Sequence, residues 1–440
     1  MKILSTKYTK NSPFEAFVGI LKTCLDGVKF QSINFAPAYF LLMLLGTAIN
    51  FCKSLAFAKV LGVSEFGYLA LFNVFVSYGA ILFQFGLLNG LNRELPVAIG
   101  RGENERSIRL RNMVLTSVFM MILLVFPLFA ASLCWIKADA GVKVIYLAAY
   151  GGSAISVLYG FVTLELRGRQ LLLPFSFIYV LQAVATLLIG IIAGRYFGLK
   201  GVIGAVFFGY IISIVIAMVF WIDNIRLARI ELQDIKYLLR IGVPLVLSTF
   251  CYTFALSMDR LFIAKYFGMF ELGKYQFASI IFIAGTAISS VVAQCVSPQI
   301  LYNHGRGTEP GKNFSVVLKI MGGICAIFLL GWYPFVVGSG FLVERFFYKY
   351  SDVLPVMQIF YFSAGIKIMN MAGVMINVFN KQFMALVYTI IVTLVLFFAY
   401  LVAVKESASL ITFAKIFLGG QIMFVGMNIG LGFWCVKKYR

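Results

Sequence analysis

Three cations and one carboxylate stand where they are costly to keep. Lys53, Arg260 and Lys367 lie inside long apolar runs, and Asp259 is the only carboxylate well inside one. A cation at mid-bilayer costs at least about 2.5–3.5 kcal/mol, so each of these needs a reason. Lys and Arg held at such depth suit an anion, phosphate or diphosphate best, because they give charge-assisted and, for Arg, bidentate hydrogen bonds. A plainer alternative exists for Lys53 and Arg260, whose side chains can reach back to the outer interface. Lys367 is near the middle of its run and lacks that route. Asp259 has two readings: a counter-charge for Lys53 or Arg260, or a proton-coupling group. Glu165 lies near the inner end of another run, with Arg167 two residues on.

Polar residues inside the apolar runs keep helical spacing and so fall in stripes. One stripe is Asn50, Lys53, Ser54 and Phe57; another is Asn73, Ser77 and Gln84. Ser153, Ser156, Thr163 and Arg167 form a third, and Thr249, Tyr252, Thr253, Ser257 and Arg260 a fourth. Gln276, Ser279, Thr286, Ser290, Gln294 and Ser297 step along a fifth; Ser363, Lys367, Asn370, Asn377 and Lys381 make a sixth. A single Ser or Thr in such a place is accounted for by interhelical hydrogen bonding. Six stripes together predict a wet central cavity, since a polar face in hydrocarbon must meet protein or water. The candidate cavity residues are Lys53, Arg260, Lys367, Asp259, Asn50, Asn73, Gln84, Gln294, Asn370 and Asn377.

The elements that position them follow from composition. The 440 residues are 61% hydrophobic and 12% charged, too little charge to cover a soluble protein of this size. Apolar stretches of about 20 residues, the length of a bilayer-spanning helix, recur throughout. The fold expected is an all-α polytopic membrane protein, with no room for a large soluble catalytic domain. The net charge of +20 does not indicate nucleic acid, because Lys and Arg gather in short loops. Seven scattered cysteines form no CxxC or disulfide framework, and one histidine, His304, excludes any multi-histidine metal site. Gly311-Lys312-Asn313 lacks the rest of a Walker A loop, so energy is expected from a proton or sodium gradient or from mass action, with no cofactor.

Twelve membrane runs are predicted, near 38–60, 66–92, 112–135, 142–166, 172–194, 200–223, 237–264, 272–299, 314–340, 353–380, 382–404 and 408–435. Residues 1–37 precede them, with no signal-peptide core and an amphipathic pattern at Phe14, Phe17, Val18, Leu21, Leu25 and Val28 that reads as an interfacial helix. Loops on one side hold 23 Lys and Arg and those on the other 11, which places both termini in the cytoplasm. Ala58-Lys59-Val60-Leu61-Gly62-Val63-Ser64-Glu65-Phe66-Gly67 recurs without a gap as Ala264-Lys265-Tyr266-Phe267-Gly268-Met269-Phe270-Glu271-Leu272-Gly273. The repeat lays Lys53 over Asp259 and divides the runs six and six, giving parallel lobes at 38–224 and 237–436, a linker at 225–236 and a basic tail at 437–440.

Taken in order, Ala58–Gly67, Phe85-Gly86-Leu87-Leu88-Asn89-Gly90-Leu91-Asn92-Arg93, Gly242-Val243-Pro244, Met258-Asp259-Arg260, Gly268–Tyr275 and Pro298 resemble the Wzx-type polysaccharide flippases. These belong to the multidrug/oligosaccharidyl-lipid/polysaccharide exporter (MOP) superfamily. The resemblance implies two six-helix lobes in a V, working by alternating access. It also implies translocation of undecaprenyl-diphosphate-linked sugar repeat units across a bacterial inner membrane, for O-antigen, capsule or exopolysaccharide. The implied partners are that lipid-linked oligosaccharide, membrane lipids, and the polymerase and chain-length regulator of the pathway. Lys53, Asp259, Arg260 and Lys367 match the family's charged cavity by depth and face. Two alternatives stay open. A multidrug exporter is disfavoured by the positive cavity, since such exporters of cationic drugs rely on membrane carboxylates. A polymerase or ligase, which would be an enzyme, is disfavoured by short outer loops near 136–142 and 341–352, whose Glu344, Arg345 and Asp352 read as solvated charges.

Overall fold

The computed structural model describes residues 36–135, 140–223, 225–228, 231–305, 310–370, 382–406 and 408–438. They form α1 Ala36–Val60, α2 Val63–Gln84, α3 Leu87–Gly100, α4 Asn104–Trp135, α5 Ala140–Gly168 and α6 Leu172–Phe220. After these come α7 Leu232–Tyr266, α8 Gly268–Gly305, α9 Pro310–Phe346, a 3-10 helix Tyr348–Val353, α10 Leu354–Ile368, α11 Gln382–Lys405 and α12 Leu410–Lys438. No strand occurs among the described residues. Helices are what hydrocarbon demands, because each backbone N–H and C=O finds its partner within the segment. Among the described residues, nine helices are long and apolar enough to cross a bilayer. Leu123, Leu124, Ile192, Leu329, Leu330 and Phe398 stand exposed on them, as lipid-facing side chains do.

One of the nine spans twice. At 49 residues α6 would be about 73 Å long if straight, far more than one crossing needs. It folds at Gly198 (φ 58°, ψ −137°). Only glycine takes this backbone without strain, and the Glu65 carboxylate lies where a Cβ would point. The runs expected at 172–194 and 200–223 are therefore two arms of one bent helix. The run expected at 66–92, by contrast, is broken. Phe85 (φ 41°) and Gly86 (φ 85°) both turn left-handed, ending α2 at Gln84. Residues 87–100 then form the separate helix α3, whose Leu87, Leu88, Leu91 and Leu95 enter the core shared with α4 and α5. The amphipathic segment around Phe14–Val28 lies outside the described residues.

The repeat is visible in the packing. In the first half α1 packs on α6, α2 on α5, and α5 on α6. In the second half α7 packs on α11, α8 on α10, and α10 on α12. The halves meet through α2 against α8 and α7, α1 against α8, and α3 against α7. One apolar core runs across this junction, from Phe57, Phe66 and Phe72 to Tyr275, Phe277 and Phe360. A second stays within the first half, joined only by Leu238 of α7 among its buried members. At the end of the molecule that holds the Ala58–Gly67 repeat, the Tyr350 hydroxyl donates to the Ala58 carbonyl (3.2 Å). Asp352 of the 3-10 helix pairs with Lys274 of α8, so this loop charge, expected to be merely solvated, ties two elements together.

Candidate functional site

A cavity of about 540 Å³ opens between the halves. From the first half α1 contributes Asn50, Lys53 and Ser54, and α2 contributes Asn73 and Ser77. From the second half come Thr253, Ser257 and Arg260 of α7 and Gln276 and Thr286 of α8. These are the stripes read from sequence, now facing one another. The Tyr78 and Ser257 hydroxyls, 2.6 Å apart, join α2 to α7 beside the cavity.

Lys53 does not reach toward the nearer, Val60 end of α1. Its Nζ donates to Asn50 Oδ1 (2.6 Å), one turn back toward the middle of α1. Arg260 Nη2 donates to Ser279 Oγ at 3.4 Å, a long bond, and its Nε is buried without a hydrogen-bond partner. No ion pair among the described residues involves Lys53, Arg260 or Lys367. Buried polar atoms normally find a partner, so the exceptions carry information. Among the described residues six side-chain atoms are buried and unbonded. Three of them, Arg260 Nε, Gln276 Oε1 and Tyr159 Oη, belong to residues lining this one cavity. These three atoms leave hydrogen-bonding capacity along the wall.

The remaining candidates sort differently. Asp259 is fully buried behind the wall, where its carboxylate accepts from the Tyr275 hydroxyl (2.8 Å) and the Arg260 backbone N–H (2.8 Å). Lys367 is not on the cavity: its Nζ meets the Tyr252 hydroxyl, inside the second half. Asn370 accepts from Asn428, which in turn accepts from Tyr388, in the same half. Gln84 lines a smaller pocket at the α2–α3 break. The side chain of Gln294, and all of Asn377, lie outside the described residues.

Sequence reasoning missed four cavity residues. Tyr159, Tyr179, Gln182 and Tyr210 line the first-half wall. A signal was present for two: Tyr159 follows Ser156 at three residues on the third stripe, and Gln182 is a lone amide in an apolar run. Arg111 was also misplaced. Counted with the inner loops, it is fully buried and bonds Glu165 Oε1 (3.0 Å) and the Asp223 carbonyl (3.1 Å). Arg169 reaches the same Glu165 oxygen at 2.7 Å. This network ties α4, α5 and the residues after α6 together at one end of the first half.

Residues 37–300, more than half of the chain, match a family described as polysaccharide biosynthesis protein. The chain belongs to that family. Its membership bears out the resemblance read from sequence. No curated protein matches the chain in sequence. Among solved structures, it is similar to a multidrug resistance MATE family transporter of the MOP superfamily in an inward-facing conformation. That likeness has a TM-score of 0.70 at 16% identity, over 89% of this chain and 95% of the other. An outward-facing structure of a MATE family transporter gives 0.67 at 15% identity, over 91% and 94%. A MOP superfamily transporter from Pyrococcus furiosus, described as having a binding pocket of reverse polarity that suggests a different function, gives 0.67 at 16% identity, over 90% and 94%. At these identities the likeness establishes the fold, that of the MOP superfamily, in a multi-pass membrane protein.

Proposed function

We propose that this family member flips undecaprenyl-diphosphate-linked sugar repeat units from the inner to the outer leaflet of a bacterial inner membrane, by alternating access. The carrying observation is the charge of the central cavity. Among the described residues its wall holds two cations, Lys53 and Arg260, and no carboxylate. A site for cationic drugs needs the opposite sign, whereas a diphosphate needs this one. Amide and phenol side chains around the cations offer donors, acceptors and ring faces for sugars, while the polyprenyl tail remains in lipid. On this reading residues 38–224 and 237–436 rock as two lobes about the 225–236 link, with both termini cytoplasmic. Energy is drawn from a proton or sodium gradient or from mass action. The product feeds O-antigen, capsule or exopolysaccharide assembly by the polymerase and chain-length regulator.

The test is deletion in the native host, followed by separation of lipid-linked intermediates by leaflet. Complete repeat units trapped on the inner leaflet, with surface polymer lost, are expected. Single units accumulating outside would assign the protein to polymerisation. Unchanged pools with altered drug sensitivity would make it an exporter of drugs.

A further inference from the structure

A second cavity, of about 270 Å³, lies against the break between α2 and α3. Its polar lining is Gln84 from α2, Asn89 and Asn92 from α3, and Ser156, Thr163 and Arg167 from α5. It is lined by further residues of α2 and α5, two helices that also line the central cavity. On α2, Asn73 and Ser77 face the central cavity, while Ala80 and Gln84 on the same helix face line the second. Eleven residues of helix separate Asn73 from Gln84, about 16 Å along the axis. On α5, Tyr159 belongs to the central cavity and its neighbour Gly160 to the second. Tyr210 on the central wall interacts with Ser156 of the lower one. The Tyr159 hydroxyl, between the two, is buried without a partner.

The two cavities differ in chemistry. The upper has two cations that form no ion pair among the described residues. The lower has three carboxamides, two hydroxyls and a single cation, Arg167, which also forms no ion pair among the described residues but is stacked on a ring. Arg167 lies over the Phe175 ring (5.2 Å to its centre), and its Nε donates to the Thr163 carbonyl (3.4 Å). Carboxamides present a donor and an acceptor side by side, the complement of neighbouring sugar hydroxyls, and they add no charge for a diphosphate. The lower volume can hold a sugar ring, and the two cavities adjoin at Tyr159 and Gly160, as successive groups of one extended molecule would require.

We infer that the lower cavity binds a sugar residue of the transported chain through its hydroxyls, at Gln84, Asn89 and Asn92, while the diphosphate lies above it between Lys53 and Arg260. This rests on the flippase reading proposed above and divides the ligand between two subsites. Gly160 supplies a clean test. A Cβ there meets nothing within 4 Å, so Gly160→Leu starts its side chain in open space at the lower cavity and replaces glycine by a better helix former.

The experiment measures Kd of the full-length protein in nanodiscs for two probes. One is undecaprenyl diphosphate; the other is the undecaprenyl-diphosphate-linked oligosaccharide extracted from the deletion host. Wild type is expected to bind the sugar-bearing probe at least tenfold more tightly. Gly160→Leu, and separately Asn89→Ala with Asn92→Ala, should reduce that advantage to within twofold, with Kd for bare undecaprenyl diphosphate unchanged within twofold. Variants that keep the full advantage would overturn the assignment of this cavity. A wild type that binds both probes equally would overturn the sugar subsite and leave the flippase reading standing. A wild type that binds neither would overturn both.

Discussion

Gly67 and Gly273 hold the same place in the two copies of the repeat, and each presses on the backbone of the other copy. Gly67 lies against the Met269 carbonyl and Gly273 against the Val63 carbonyl. Val63 and Met269 are themselves repeat mates, so the contact is a pseudo-twofold one between α2 and α8. A Cβ at either glycine would overlap a carbonyl oxygen, which is backbone and cannot swing aside. The nearby bond from Tyr350 to the Ala58 carbonyl closes the same end of the molecule. Five shared residues in the repeat thus mark the surface on which the halves touch.

If the halves separate at this end during transport, closing them again requires both glycines. Gly67→Leu and Gly273→Leu should each insert normally yet lower surface polymer at least tenfold. In a cysteine-free background carrying Ser54→Cys, an impermeant thiol reagent applied from outside should react faster in either variant than in the parent. Normal export by Gly67→Leu would show that this contact is not part of the cycle.

The two cavity cations should act together on the anionic head group. Lys53→Met and Arg260→Met are each expected to raise Kd for undecaprenyl diphosphate at least tenfold, about 1.4 kcal/mol. Lys53→Arg should retain most of the affinity, because the charge remains beside Asn50. Lys367→Met should leave Kd within twofold, since its ammonium group faces Tyr252 rather than the cavity. Titration of the four variants decides this, and equal losses for Lys53 and Lys367 would contradict the geometry.

Much of this arrangement was legible because membrane depth makes polar residues conspicuous. Lys53, Asn50, Asn73 and Arg260 stood out against apolar neighbours, and all four line one cavity. Aromatic residues gave no such contrast: nothing in their apolar runs singles out Tyr179 or Tyr210, yet both line the same space. Lys367 and Asn370 obey the stripe rule but turn toward Tyr252 and Asn428, because a helix face can meet a neighbouring helix as well as a cavity. Arg111 was misread since a cation at the end of a run looks like a loop charge until its partner is known. Glu165 is 54 residues away, and only the fold brings it within 3.0 Å.

The orientation has a direct test. Single cysteines placed at Lys349, beside the Tyr350 contact, should react with an impermeant reagent on intact cells. Those at Arg106, at the start of α4, should react only after permeabilisation. The opposite pattern would invert the topology and with it the direction of transport.

The Arg111–Glu165 pair should behave as a structural unit of the first half. Both side chains are about 1% exposed, so removing one partner strands a charge away from water. Such losses cost about 3–5 kcal/mol, whereas replacing both by apolar groups of similar volume is often neutral or better. Arg111→Met and Glu165→Leu are each expected to lower the midpoint of thermal aggregation of the detergent-solubilised protein. The double variant should recover part of that loss, short of the whole, because Arg111 also holds the Asp223 carbonyl at the end of α6 and Arg169 would lose its own partner. A double variant as unstable as the sum of the singles would mean that Arg111 and Glu165 act independently.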